Sequence, residues 1–105
     1  MNKYRNIITE YRGRKYHSKF EAEYAMKLDW KLRAGEILDW KPQVKLPLIV
    51  QGVKICDYII DFFTVDKNQK EEFIEVKGME TKDYKIKAKL ARVLYPELNF
   101  VVVKK

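Results

Sequence analysis

A helical period that gives way to a strand period within one short chain limits the fold more than any other feature. Ser18 reads as an N-cap, and Glu21 three residues later completes a capping-box pattern ahead of apolar residues at helical spacing. The helix should run to about Arg33, with Ala34-Gly35 as its stop. From Asp39 the texture is that of strands: residues 43–50, the turn signal Gln51-Gly52, residues 53–65, a loop over 66–70, and residues 71–77. Pro47 argues for an edge position or a bulge in the first of these. Gly78 ends the third strand, Thr81 caps a second helix reaching about Tyr95, and Pro96 terminates it. Residues 99–103 form a last apolar strand, continuous enough to be buried on both faces. Ahead of all this, residues 4–17 hold two short β-prone runs around Arg12-Gly13, a basic hairpin or extended arm. The order α-β-β-β-α-β predicts an α/β fold: a mixed four-stranded sheet flanked by two helices, with an antiparallel meander and one helical crossover.

A chain of 105 residues makes one domain over 1–105, and 47% hydrophobic residues argue against disorder. No stretch reaches the length of a membrane span, and the first residues lack the apolar core of a signal peptide. The single cysteine, Cys56, leaves no partner for an intrachain disulfide and fits a reducing cytoplasm. One cysteine and one histidine also argue against a structural zinc site. The net charge of +7 points to a polyanionic partner, and nucleic acid is the commonest one inside cells.

Acid-x-Lys occurs five times, at Asp29-Lys31, Asp39-Lys41, Glu75-Lys77, Glu80-Lys82 and Asp83-Lys85. On a helix, residues two apart do not share a face, which sets aside the pairs at Asp29 and Asp83. The pairs at Asp39 and Glu80 fall in connecting segments. Only Glu75-Val76-Lys77, inside the stretch EFIEVKG, stands on a strand, where alternation puts acid and lysine on one face. On the strand before it, Asp57, Ile59, Asp61 and Phe63 share a face by the same rule. A simple hairpin centred near Asn68 sets Asp61 opposite Glu75, with Cβ atoms about 5 Å apart. A one-residue bulge would undo that pairing. Two carboxylates so close repel unless a positive group lies between them, and a divalent cation is the economical one.

Helical periodicity aligns Glu21 with Ala25, Leu28 and Leu32 on the inward stripe and sends Glu23 to the solvent side with Lys27 and Trp30. Glu21 has two readings: an inward acid in need of a partner, or the capping-box acid returning to the Ser18 amide. On the second helix Lys82, Lys85, Lys89 and Arg92 form a basic stripe, either an ordinary solvated face or a track for a phosphate backbone. Tyr84, Ala88, Ala91 and Tyr95 form its apolar stripe, Tyr84 being expected to pack there. Lys3, Arg5, Arg12, Arg14 and Lys15 add positive charge near the N-terminus. Asp57 reads as the solvated end of its strand, with a supporting place at the site as the alternative. His17 is either incidental or a group near a leaving group or phosphate. Trp30 and Trp40 read as packing residues, and exposure of Trp30 would suggest a protein partner.

The αβββαβ order, Asp61 with Glu75-Val76-Lys77, and the helical Glu21 together resemble the PD-(D/E)XK nuclease superfamily, whose fold is restriction-endonuclease-like. More narrowly, SKFEAEY, YIIDF, IEVKG and TKDYKIKAKL are similar to stretches of a small family of phage- and prophage-encoded endodeoxyribonuclease-like proteins, over residues 3–100. Ile60 departs from the pattern, standing where the superfamily's name has proline. The resemblance implies that Asp61 and Glu75 coordinate Mg²⁺, with Mn²⁺ as a substitute. The Val76 carbonyl would be a further ligand, and Glu21 would complete the site directly or through water. Lys77 would orient or activate the attacking water, or stabilise developing negative charge. It also implies DNA as substrate, a bacterial host cytoplasm, and phage replication or recombination proteins as partners. The leading expectation is a Mg²⁺-dependent endonuclease; the alternatives are a Holliday-junction resolvase acting as a homodimer and a catalytically silent DNA-binding module.

Overall fold

The computed structural model describes residues 9–77, the last of these by its backbone alone, and residues 81–104. A short hairpin, β1 (Thr9–Tyr11) and β2 (Arg14–Tyr16), precedes helix α1 (Lys19–Arg33). Strands β3 (Ile37–Val50), β4 (Val53–Asp66) and β5 (Glu71–Lys77) follow, then helix α2 (Lys82–Leu94) and strand β6 (Phe100–Lys104). The main sheet has the order β3-β4-β5-β6, antiparallel until the last pair, which is parallel and joined through α2. The expected α/β architecture is therefore present, with a mixed four-stranded sheet and two helices.

The N-terminal segment is a hairpin over its described part, and Lys3 and Arg5 lie outside the described residues. Its turn residues Arg12 and Gly13 both have left-handed backbones, φ 53° and 78°. That is the geometry a two-residue hairpin of right-twisted strands requires, and glycine supplies half of it without strain. Ser18 caps α1 and Thr81 caps α2, each hydroxyl accepting the amide three residues on, from Glu21 and Tyr84.

Adjacent residues of β5 separate the two cores. Ile74 and Val76 pack with Ala22, Ala25 and Leu28 of α1, while Phe73 packs with Ala88 and Ala91 of α2. The helices therefore cover opposite faces, and alanines at both contacts let each lie close to the sheet. Pro42 and Pro47 are tolerated because β3 is an edge strand, bonded only to β4. This strand starts at Ile37, earlier than its sequence texture suggests, because Ile37 is buried in the α1 core. The last strand differs from expectation more plainly. β6 is the other edge: Val101 and Val103 are partly buried against the α1 core and Phe100 against the α2 core, while Val102 is 38% exposed, so the strand is not buried through on both faces.

Strict alternation also fails at one place. Tyr58 and Ile60 of β4 join the α2 core, Phe62 joins the α1 core, and Phe63 returns to the α2 core. The reversal centres on Asp61. Opposite it on β3 stands Gln43, flanked by the regular pairs Pro42–Phe62 and Val44–Ile60. Gln43 has a left-handed backbone, φ 52°, inside an otherwise extended strand, a strain of about 1 kcal/mol for a residue with a Cβ.

Candidate active site

Asp61 and Glu75 lie just past the end of the β4–β5 ladder, whose register is the one the sequence suggests. Strands β4 and β5 pair Phe62 with Ile74 and Phe63 with Phe73, without a shift, and the same register carried one step further would face Asp61 with Glu75. The ladder's paired residues end at Phe62–Ile74, and there the Asp61 side chain takes over. Its Oδ2 accepts the Val76 backbone N–H at 2.7 Å. A half-buried carboxylate thus replaces a strand carbonyl where β4 parts from β5.

Glu75 is fully buried and turned toward α2. The Tyr84 hydroxyl donates to its Oε2, and the Arg92 guanidinium lies 3.4 Å from its Oε1. Arg92 also donates to the Ala88 carbonyl at 2.9 Å and stacks over Phe100, 4.8 Å from the ring centre. A buried anion needs such company, since desolvation without a counter-charge is prohibitive. The charge between the two acids was expected to be a cation; for Glu75 the protein supplies Arg92 and a phenol.

Tyr58 lies against the same carboxylate. It is 3% exposed, and its hydroxyl makes no well-formed hydrogen bond. Burial first, then the hydrogen-bonding approach of the Glu75 carboxylate and its charge, push its phenol far above the ordinary value of 10.0.

The other expected residues are spread around this pair. Glu21 is half-buried on the α1 side, near Tyr16, and Glu23 is exposed. Ala25 and Leu28 of the expected stripe are buried, whereas Leu32 at its far end is 38% exposed. Asp57 takes the peripheral role: Lys54 pairs with it at 2.9 Å, and its carbonyl accepts from Lys87 at 3.4 Å. His17, Lys15, Lys82, Lys85 and Lys89 are exposed, and Arg92 departs from the basic stripe by turning inward. The Lys77 side chain lies outside the described residues, its backbone pairing with Lys104. Trp30 is 61% exposed, not packed.

Two features escape a reading of the sequence. Asp29, set aside above, is 8% exposed and accepts from Tyr11 (2.6 Å) and Trp40 (3.0 Å), with the Arg12 guanidinium at 3.1 Å. Its signal was available: Asp29 falls on the helix face of Ala22 and Ala25. The second is the hydrogen bond from Arg14 Nη1 to Gln43 Oε1, 3.2 Å, which ties the hairpin to the residue opposite Asp61. No local pattern announces it.

The oxygen donors here suit a hard divalent cation by type: Asp61, Glu75 and the Val76 carbonyl, with Glu21 on the other layer. Among the described residues, however, no group of three or more His, Cys, Asp or Glu side chains is gathered to hold a metal ion. The fit is therefore one of donor chemistry alone.

Among the described residues, no helix is long and apolar enough to cross a membrane. No curated protein and no solved structure matches the chain. A family model described as a protein of unknown function, DUF1064, matches residues 1–105, so the chain belongs to that family.

Proposed function

We propose that the protein is a metal-dependent endodeoxyribonuclease of PD-(D/E)XK type, acting on phage or prophage DNA. One observation carries the reading: Asp61, held by the Val76 amide where β4 leaves β5, lies at the same end of the ladder as a fully buried Glu75. Asp61, Glu75 and the Val76 carbonyl would hold Mg²⁺, with Mn²⁺ able to substitute; Glu21, on the α1 layer while Glu75 turns toward α2, would take part only through water or a shift of side chains. The cation would supply Lewis acidity and an activated water. Lys77 would set positive charge where negative charge develops on the phosphate. Lys82, Lys85 and Lys89, with Arg12, Arg14 and Lys15 of the hairpin, would hold the DNA backbone by charge, without reading sequence. A domain this small covers little DNA, so double-strand cleavage calls for a homodimer or repeated nicking.

The occupied oxygens of Glu75 favour a second reading, a silent DNA-binding module in which Arg92 and Tyr84 replace metal chemistry with structure. Incubation with supercoiled plasmid, linear duplex and a four-way junction in Mg²⁺, Mn²⁺ or EDTA separates these. Metal-dependent cutting lost in Glu75→Ala supports the nuclease, and symmetric cutting confined to the junction supports a resolvase. Binding without cutting in every metal supports the silent module.

A further inference from the structure

The N-terminal hairpin is fixed in place at three points. Tyr16 is 2% exposed against Phe62, the Tyr11 hydroxyl donates to Asp29, and Arg12 pairs with the same carboxylate. On β2, Arg14 shares a face with Tyr16, so it points toward the main sheet, while Lys15 points away from it. Its guanidinium meets Gln43, whose strand position is opposite Asp61. Regular pairs stand on either side, Pro42–Phe62 and Val44–Ile60, so Gln43 is the β3 residue nearest Asp61 along the register.

Gln43 holds a conformation that its side chain disfavours, in the middle of a paired strand. Strained backbone persists where the surroundings over-determine it, and such residues cluster at functional sites. One amide oxygen engages one of the five guanidinium donors of Arg14, which leaves donors free to take a planar, paired grip on a phosphate.

We infer that Arg14 is the phosphate-orienting residue of this site and that Gln43 is its positioning residue. Together they seat the phosphodiester beside Asp61, whereas Lys15 on the outer face serves only general attraction. This inference rests on the nuclease reading and adds a division of labour within the basic surface that charge alone does not give.

The test combines steady-state cleavage of a labelled duplex in Mg²⁺ with equilibrium binding of the same duplex in EDTA. Arg14→Ala is expected to lower kcat about 100-fold, while its affinity in EDTA falls by less than about tenfold, the loss of one contact among several. Arg14→Lys should recover part of kcat. Lys15→Ala should act through KM and affinity. Gln43→Ala and Gln43→Gly should both lower kcat, since both lose the amide although glycine accepts the left-handed backbone. An Arg14→Ala effect confined to KM and affinity would overturn the assignment of Arg14. A Gln43→Gly protein with wild-type kcat beside an impaired Gln43→Ala would reduce Gln43 to a backbone device and overturn its assignment. If the wild type cuts no DNA in Mg²⁺ or Mn²⁺, the nuclease reading itself fails and takes this inference with it.

Discussion

Asp29 accepts from a phenol and an indole while 8% exposed, so Asp29→Ala would strand both donors at the edge of the core. The expected cost is about 2–4 kcal/mol, read from urea unfolding; a change within about 0.5 kcal/mol, as for an ordinary surface site, would contradict this role. Tyr58 predicts the opposite sign. Its hydroxyl is buried without a formed hydrogen bond, so Tyr58→Phe should leave stability unchanged or raise it by about 1 kcal/mol. A clear loss would mean that the hydroxyl has a partner. Individual acids were only partly legible in the sequence. The period of α1 separates Glu21 from Glu23, because one helix face is covered and the other is not. It also places Asp29 inward, but nothing local reveals its partners, which come from the hairpin and from β3. Arg92 could not be told from its lysine neighbours, since whether a cation turns inward depends on what the adjacent strand buries.

At the scale of elements, turn chemistry and capping are local and read directly: Ser18, Thr81 and Arg12-Gly13 each act as their type predicts. Nothing lies within 4 Å of a Cβ added at Gly13, so its left-handed φ of 78° is the whole obstacle to substitution. Gly13→Ala should therefore cost about 1 kcal/mol, and no measurable loss would argue that the turn relaxes to another type. Strand faces were less legible. Alternation assumes an unbroken pleat, and the pleat breaks where Gln43 turns left-handed opposite Asp61. Tyr58 and Ile60 both join the α2 core, as alternation from Asp57 requires, and the reversal comes only past Ile60, at Asp61, so that Phe63 falls on the opposite face from the one alternation gives it. The register toward β5 survived because the Asp66 turn is tight, its carboxylate accepting the amides of Asn68 and Lys70.

The whole molecule carries +7, and Lys82, Lys85 and Lys89 are exposed in one row on α2. Replacing all three by Ala should reduce the slope of log affinity against log salt by roughly 3 for duplex DNA. An unchanged slope would remove α2 from the DNA-facing surface. Stability should also fall in alkali. Burial raises the phenols of Tyr16 and Tyr24 above their unfolded value of 10.0. The folded state then holds protons that the unfolded state releases, so this stabilisation is full below about pH 10 and is lost as pH rises through the folded values. Urea midpoints at pH 8 and pH 11 should show the drop, and Tyr16→Phe should make it shallower. The fold class was legible because a helix, three strands, a helix and a strand admit few arrangements in so short a chain. The proposed reaction rests on residue types alone: an acid on each of two paired strands. Hydrolysis at that pair is tested by nicking of supercoiled plasmid in Mg²⁺ by wild type and Asp61→Ala. Wild-type nicking that EDTA abolishes, with a loss in Asp61→Ala of at least about 100-fold, is the expected result; equal nicking by both proteins, or none by the wild type, would overturn it.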